Sequence, residues 1–353
     1  YPGGSVPVLP AAAVNSSGVA VAYSQYYNGS DYKGTRAVRW NVFGETVVLE
    51  QLGSSSNGDS EVFARAINES GESVGHSLAY DSSGNSLGSR AVRWDDSGHI
   101  IELAPLNTSE GFGSARGYAI NNASTATGYS YVYAGDSDTG LRAARWEAGS
   151  TDPTALDVLG FSPSGFSTAV GNAINESGAV AGYARKYDGS GNDYGLRAVR
   201  WNAGSTSPIL LNDLGSASNG YSDSRADDLN DEGTTVGYSR KYDGGGTDLG
   251  TRAVRWNGDG YTATVLDGLG IATNGVTSAR AIAINNAGTS VGFANKYDQS
   301  GSYLGGRAVR WDAGGTAATE LGNLGTNNSG VTSAAAYALN EAGTAIGYSE
   351  KYD

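Results

Sequence analysis

The chain has 353 residues, 36 acidic against 23 basic, a net charge of −13 and a pI near 4.6. That balance repels a phosphate backbone and an anionic membrane surface, which argues against a nucleic-acid partner, and no apolar run approaches the ~18 residues of a membrane span. With no Cys and no Met there is neither a disulfide framework nor a thiolate metal site.

A chain that starts at Tyr1 without Met reads as a processed or partial product. The opening YPGGSVPVLP lacks the basic start and apolar core of a leader. The expectation is an exported protein, extracellular or on the cell surface after leader removal. Its 54 glycines are offset by 22 tyrosines and six tryptophans, a composition that folds.

The first 53 residues set out a plan that the rest of the chain repeats. A short strand precedes Asn15, an Asn-x-x-Gly turn follows, and a second strand leads through a Gly-rich loop. A third strand ends in Arg36–Trp40 (RAVRW), and a fourth runs into Leu52-Gly53. The plan returns over residues 54–107, 108–160, 161–215, 216–270 and 271–325, with a half repeat over 326–353. The turn asparagines are Asn15, Asn68, Asn121, Asn175, Asn230, Asn285 and Asn340. The closing tryptophans are Trp40, Trp94, Trp146, Trp201, Trp256 and Trp311, 52 to 55 residues apart. Ser124 replaces the turn glycine of the third copy.

Asn-x-x-Gly gives a turn whose glycine is free to take positive φ. The segments either side alternate with period two and carry β-branched and aromatic residues. Four short strands per ~55 residues, with no helical periodicity, make a propeller blade. Such a sheet cannot bury both faces alone, so it packs between neighbours. The β-helix competitor is disfavoured by its much shorter coils. The expected fold is an all-β propeller, seven-bladed with an incomplete last blade; the alternative is six blades plus a projecting hairpin. The Ala-rich first strand suits the crowded axis, and the six tryptophans are expected to anchor blade to blade. The leading arginines Arg36, Arg90, Arg142, Arg197, Arg252 and Arg307 are assigned the same architectural role, with a ligand-binding ring as the alternative.

The last half repeat lacks its third and fourth strands, and unpaired edges template strand addition. Ser333, Tyr337, Leu339, Asn340, Ile346, Tyr348 and Tyr352 are the residues expected to carry a self-assembling contact, with simple truncation as the plainer reading.

No motif singles out an active site. His76 and His99 occur once each, and His76 stands where other copies have Tyr or Phe. No Ser/His/Asp order matches a triad, and no glycine loop precedes a helix. Asp227 and Asp228 replace the apolar pair before Asn230 and are the one carboxylate pair weighed for glycosidase chemistry, against a solvated-channel reading. Loops such as Tyr187–Gly195 (YDGSGNDYG) and Tyr242–Gly250 (YDGGGTDLG) are rich in oxygen, so Asp188, Asn192, Asp193, Asp243 and Asp248 form a candidate Ca²⁺ set. They lack an Asp-x-Asp-x-Asp-Gly pattern, and a plain solvated loop is the competing reading. No other cofactor is expected. Tyr23, Tyr26, Tyr129, Tyr183, Tyr187, Tyr238, Tyr242, Tyr348 and Tyr352 cluster near second strands and motivate a glycan-binding alternative. Asn68-Glu-Ser70 and Asn175-Glu-Ser177 read as glycan acceptor triplets.

The pattern Leu-Gly, loop, A-I-N-x-x-G-x-x-V-G-x-S and a small block ending in Trp resembles the extracellular HAF-repeat family over nearly the whole chain. The departure is His-Ala-Phe, which here is Arg-Ala-Val. The resemblance implies export and a propeller, and carries no chemistry to particular residues. The functional expectation is a non-enzymatic structural or adhesive propeller, self-assembling through its last blade; the alternatives are a glycan-binding module and, third, a polysaccharide-active enzyme.

Overall fold

Each copy of the repeat folds into one antiparallel meander. In the computed structural model, which describes residues 13–352, the second copy forms strands Val62–Ile67, Ser73–Tyr80, Ser86–Trp94 and Ile100–Leu103, paired in chain order. The described residues hold six such four-stranded meanders, the third and fourth joined into one eight-stranded sheet by a parallel pairing of Ser137–Trp146 with Ser167–Ile174, then a two-stranded sheet of Ala334–Leu339 and Ala345–Ser349. Residues 1–12, on which the expectation of a processed start rests, and Asp353 fall outside the described residues. All described elements are strands, so no helix is long and apolar enough to cross a membrane.

The innermost strands are Ala13–Val14, Val62–Ile67, Ala115–Ile120, Ser167–Ile174, Ser224–Leu229, Ala279–Ile284 and Ala334–Leu339, and each contacts the next. The chain is therefore an all-β propeller with these strands around the axis. From the second sheet onward every inner strand carries a bulge at one position: Arg65, Tyr118, Asn172, Asp227, Ile282 and Tyr337 are skipped in the ladder. A bulge turns its unpaired residue out of the pleat.

Three sets of contacts join neighbours. Closest to the axis, each turn asparagine donates its Nδ2 to the carbonyl of the next: Asn15 to Asn68 (3.1 Å), Asn68 to Asn121 (3.2 Å), Asn121 to Asn175 (3.0 Å), Asn175 to Asn230 (3.1 Å), Asn230 to Asn285 (3.3 Å) and Asn285 to Asn340 (3.2 Å). Each residue after the asparagine also donates its backbone N–H to a side chain one sheet on, as Glu69 does to Asn122 (2.9 Å) and Glu176 to Asp231 (2.9 Å).

Further out, Trp94, Trp146, Trp201, Trp256 and Trp311 are fully enclosed and donate Nε1 to the preceding sheet, at Glu50, Ala104, Asp157, Asn212 and Asp267. Trp40 is half-buried. The leading arginines reach the other way. Arg36, Arg142, Arg197, Arg252 and Arg307 donate to the carbonyls of Ser60, Ser167, Ser222, Thr277 and Thr332, and Arg90 to Gly113. Arg90, Arg197 and Arg307 are also neutralised by Glu102, Asp213 and Glu320. Gly250 shows how close the sheets come: at φ 82°, a Cβ there would lie 2.0 Å from the Thr277 oxygen.

The first and last sheets line one cavity of about 740 Å³ between Ala13–Ser16 and Ala338–Ala342. Ile346 and Tyr348 on the last strand are exposed, Tyr337 stacks on Tyr348 at 5.8 Å, and Ser333 Oγ lies 2.9 Å from the Tyr348 hydroxyl. Leu339 and Asn340 line the cavity, and Tyr352 donates to Glu350 (2.9 Å).

Candidate functional site

The bulges gather side chains on the axial side. Five residues before each turn asparagine stand Phe63, Arg116, Val170, Arg225, Arg280 and Ala335, three before it stand the bulge residues, and across on the second strands lie His76, Tyr129, Tyr183, Tyr238, Phe293 and Tyr348. Four arginines thus meet a bed of aromatic rings. The Arg65 guanidinium lies 5.5 Å from the Tyr118 ring centre, Arg225 4.6 Å from Tyr183 and Arg280 5.2 Å from Tyr238. Tyr118 meets Tyr129 edge-on at 5.5 Å, and Phe63 stacks on His76 at 4.7 Å. Such guanidinium–ring contacts strengthen when partly desolvated.

Electrostatics divides the cluster. In the fifth and sixth sheets Asp227 takes both Nε (2.6 Å) and Nη2 (2.5 Å) of Arg280. Burial pushes the Asp227 carboxyl up while the guanidinium pulls it back, and the bidentate geometry is that of an ionised pair. Arg225 Nε lies 4.0 Å from Asp223, which accepts the Tyr238 hydroxyl at 3.2 Å. Asn172 donates to the Ala226 carbonyl at 2.8 Å. Arg65 and Arg116, in the second and third sheets, have no carboxylate at ion-pair distance among the described residues, and the Nε of each is enclosed without a hydrogen bond. Beside them His76 is 4% exposed, and burial, then Arg116, then Arg65 push its imidazole down to about 3. It is neutral, and its Nδ1 is unbonded. Burial raises the Tyr129 and Tyr238 phenols above their ordinary range, so they are neutral too.

The turn end of the axis has the opposite sign. Glu69, Glu176, Asp231 and Glu341 hold the second ring of contacts there, and burial together with Asp231 and Glu69 raises the Glu176 carboxyl despite the Asn122 N–H.

Asp227 and Asp228 do not form a catalytic pair. The bulge parts them: Asp227 meets Arg280, while Asp228 accepts the backbone N–H groups of Leu229 and Ile284, both at 2.9 Å. Burial pushes the Asp228 carboxyl up to about 6. The loop carboxylates cap their own turns. Asp188 accepts from Ser190 and Asn192, and Asp243 from Gly245 and Thr247, while Asp193 and Asp248 pair with Arg185 and Arg240. Among the described residues no three acids or histidines come together as a metal would need. The amides of Asn68 and Asn175 are enclosed in the ladder, which removes both as glycan acceptors. Tyr129 and Tyr238 are 8% exposed; Tyr129 packs edge-on against Tyr118 and Tyr131 and Tyr238 lies under Arg280, so neither presents an open face. His99 is an exposed partner of Asp95.

No protein-family model matches the chain, and no curated protein is similar to it. Solved propellers are. The β-propeller domain of the trilobed protease of Pyrococcus furiosus, described as having an open velcro topology, superposes with TM-score 0.51 at 8% identity, over 97% of this chain and 89% of that one. A prolyl endopeptidase gives 0.52 at 8% identity over 93% of this chain. Acylaminoacyl peptidase of Pyrococcus horikoshii gives 0.48 at 10% identity over 97%. The chain spans about half the length of these last two, 46% and 49%.

The two likenesses with TM-scores above 0.5 carry the fold. They also correct the expectation of a non-enzymatic structural or adhesive component assembling through its last blade. Of the structures similar to this chain, the propeller domain of the trilobed protease and the prolyl endopeptidase belong to enzymes.

Proposed function

We propose that the chain is the non-catalytic propeller part of an enzyme, and that its axial side receives that enzyme's anionic substrate. The carrying observation is the placement of Arg65, Arg116, Arg225 and Arg280 on the inner strands of a chain of net charge −13, with Asp223 and Asp227 the carboxylates at ion-pair distance from them among the described residues. A local excess of positive charge, walled by low-dielectric rings, concentrates anions that the rest of the surface repels. The acidic rim at the turn end gives the axis a direction: an anion arrives from the end where the inner strands begin. The enzyme-borne propellers to which the chain is similar support the first half of the reading.

The test is equilibrium binding of a glutamate oligopeptide and its glutamine counterpart to the purified chain. The acidic peptide binds selectively, more weakly as salt rises, and binding is lost when Arg65, Arg116 and Arg225 become Gln but kept in Arg142→Gln, on a third strand away from the inner ones. Equal binding of both peptides, or none, overturns the reading.

A further inference from the structure

The repeat contains an internal template for its own ligand. Asp227 and Arg65 occupy the same bulge position of their inner strands, and Arg280 and Arg116 the same position of the strand that follows. Between the fifth and sixth sheets these two seats hold a carboxylate and a guanidinium in a bidentate pair. Between the second and third sheets both seats hold guanidinium groups. Arg65 leans over Tyr118, and no carboxylate among the described residues reaches either arginine. Both Nε atoms and the Nδ1 of His76 are enclosed yet unbonded. The three belong to one neighbourhood, since His76 faces Phe63 across the ladder and both Arg116 and Arg65 act on its imidazole, and the two arginines hold the seats that Asp227 and Arg280 hold in the sister interface. Both arginine side chains are only partly buried, but an enclosed donor without an acceptor is costly, and buried donors are rarely left unbonded.

We propose that the inner strands of the second and third sheets bind a carboxylate, bridging Arg65 and Arg116 as Asp227 bridges to Arg280, with the imidazole of His76 as the third contact. This rests on the reading of the axial side as anion-receiving and names the group received: the carboxylate of an acidic substrate. The Tyr118 and Phe63 rings flank it, so a planar or apolar stem beside the carboxylate suits the site.

The test is calorimetric titration of the whole chain with succinate. Wild type is expected to bind one equivalent. Arg65→Asp supplies the missing carboxylate from the chain itself, so it is expected to weaken succinate at least tenfold while raising the melting temperature. Arg116→Gln is expected to weaken succinate to the same degree. Asp227→Ala empties the sister seat and is expected to add a second equivalent and to be restabilised by succinate. Wild-type affinity in Arg65→Asp, with that variant folded and no more stable, overturns the proposal. If the affinity falls in Arg225→Gln instead, the carboxylate site is misplaced and the anion-receiving axis stands. If folded wild type binds no succinate, both fail.

Discussion

Replacing Asn175 by Ala tests whether the asparagine ladder holds neighbouring sheets together. The side chain is 4% exposed and makes three hydrogen bonds: Nδ2 to the Asn230 carbonyl (3.1 Å), and Oδ1 from the Ala179 N–H (2.9 Å) and the Ser177 hydroxyl (2.8 Å). The Asn230 carbonyl keeps the Gly233 N–H at 2.9 Å, so it is not orphaned. The Ala179 N–H, enclosed, loses its acceptor. At about 1 kcal/mol per bond, plus about 1 kcal/mol more for the stranded donor, the loss is about 4 kcal/mol. Asn340→Ala is the control. Its Oδ1 accepts only the exposed Thr344 N–H (2.8 Å), and the ladder ends there among the described residues, so about 1 kcal/mol is expected. Asn175→Asp keeps the acceptor and removes only the link to the next sheet, and falls between the two. Urea midpoints followed by tryptophan fluorescence and by far-ultraviolet circular dichroism measure all three. Equal losses in Asn175→Ala and Asn340→Ala would refute the inter-sheet role.

His76→Phe should flatten the acid side of the stability profile. The imidazole titrates near 6.5 when unfolded and at about 3 in the fold, so between these values the unfolded chain binds the proton and the fold does not. Stability therefore falls as pH drops from about 6.5 towards 3, at about 1.4 kcal/mol per pH unit. Urea midpoints at pH 7, 6 and 5 check this, and an unchanged slope in the variant would contradict it. Gly250→Ala forces a side chain into positive φ and against the Thr277 carbonyl, and should cost more than about 2 kcal/mol; a melting temperature equal to wild type would contradict that.

Much of the fold was legible because the chain repeats its own evidence: seven asparagines and six tryptophans at near-constant spacing fix the strands and their order. The ladder was written in the same residues, but its meaning needed sheets 53 to 55 residues apart to be neighbours. The axial cluster escaped for a different reason. Attention to what recurs finds architecture, as with Trp94 or Arg197, whereas the ligand-bearing positions are those where copies disagree. Three residues before the asparagine the copies read Arg65, Tyr118, Asn172, Asp227, Ile282 and Tyr337. Asp227 and Asp228 stood out as unusual, yet adjacency in sequence suggested a pair that the bulge takes apart. Arg65 and Arg116 became visible only once that bulge aligned them with Asp227 and Arg280.

The most direct measurement is anomalous diffraction from crystals of the chain grown with 4-bromobenzoate, a carboxylate that carries its own scatterer on a planar stem. The account predicts a bromine peak on the axial side, with the carboxylate between Arg65 and Arg116, absent from Arg65→Asp crystals. Bromine peaks confined to the outer surface, in crystals whose axial side is open to solvent, would contradict it.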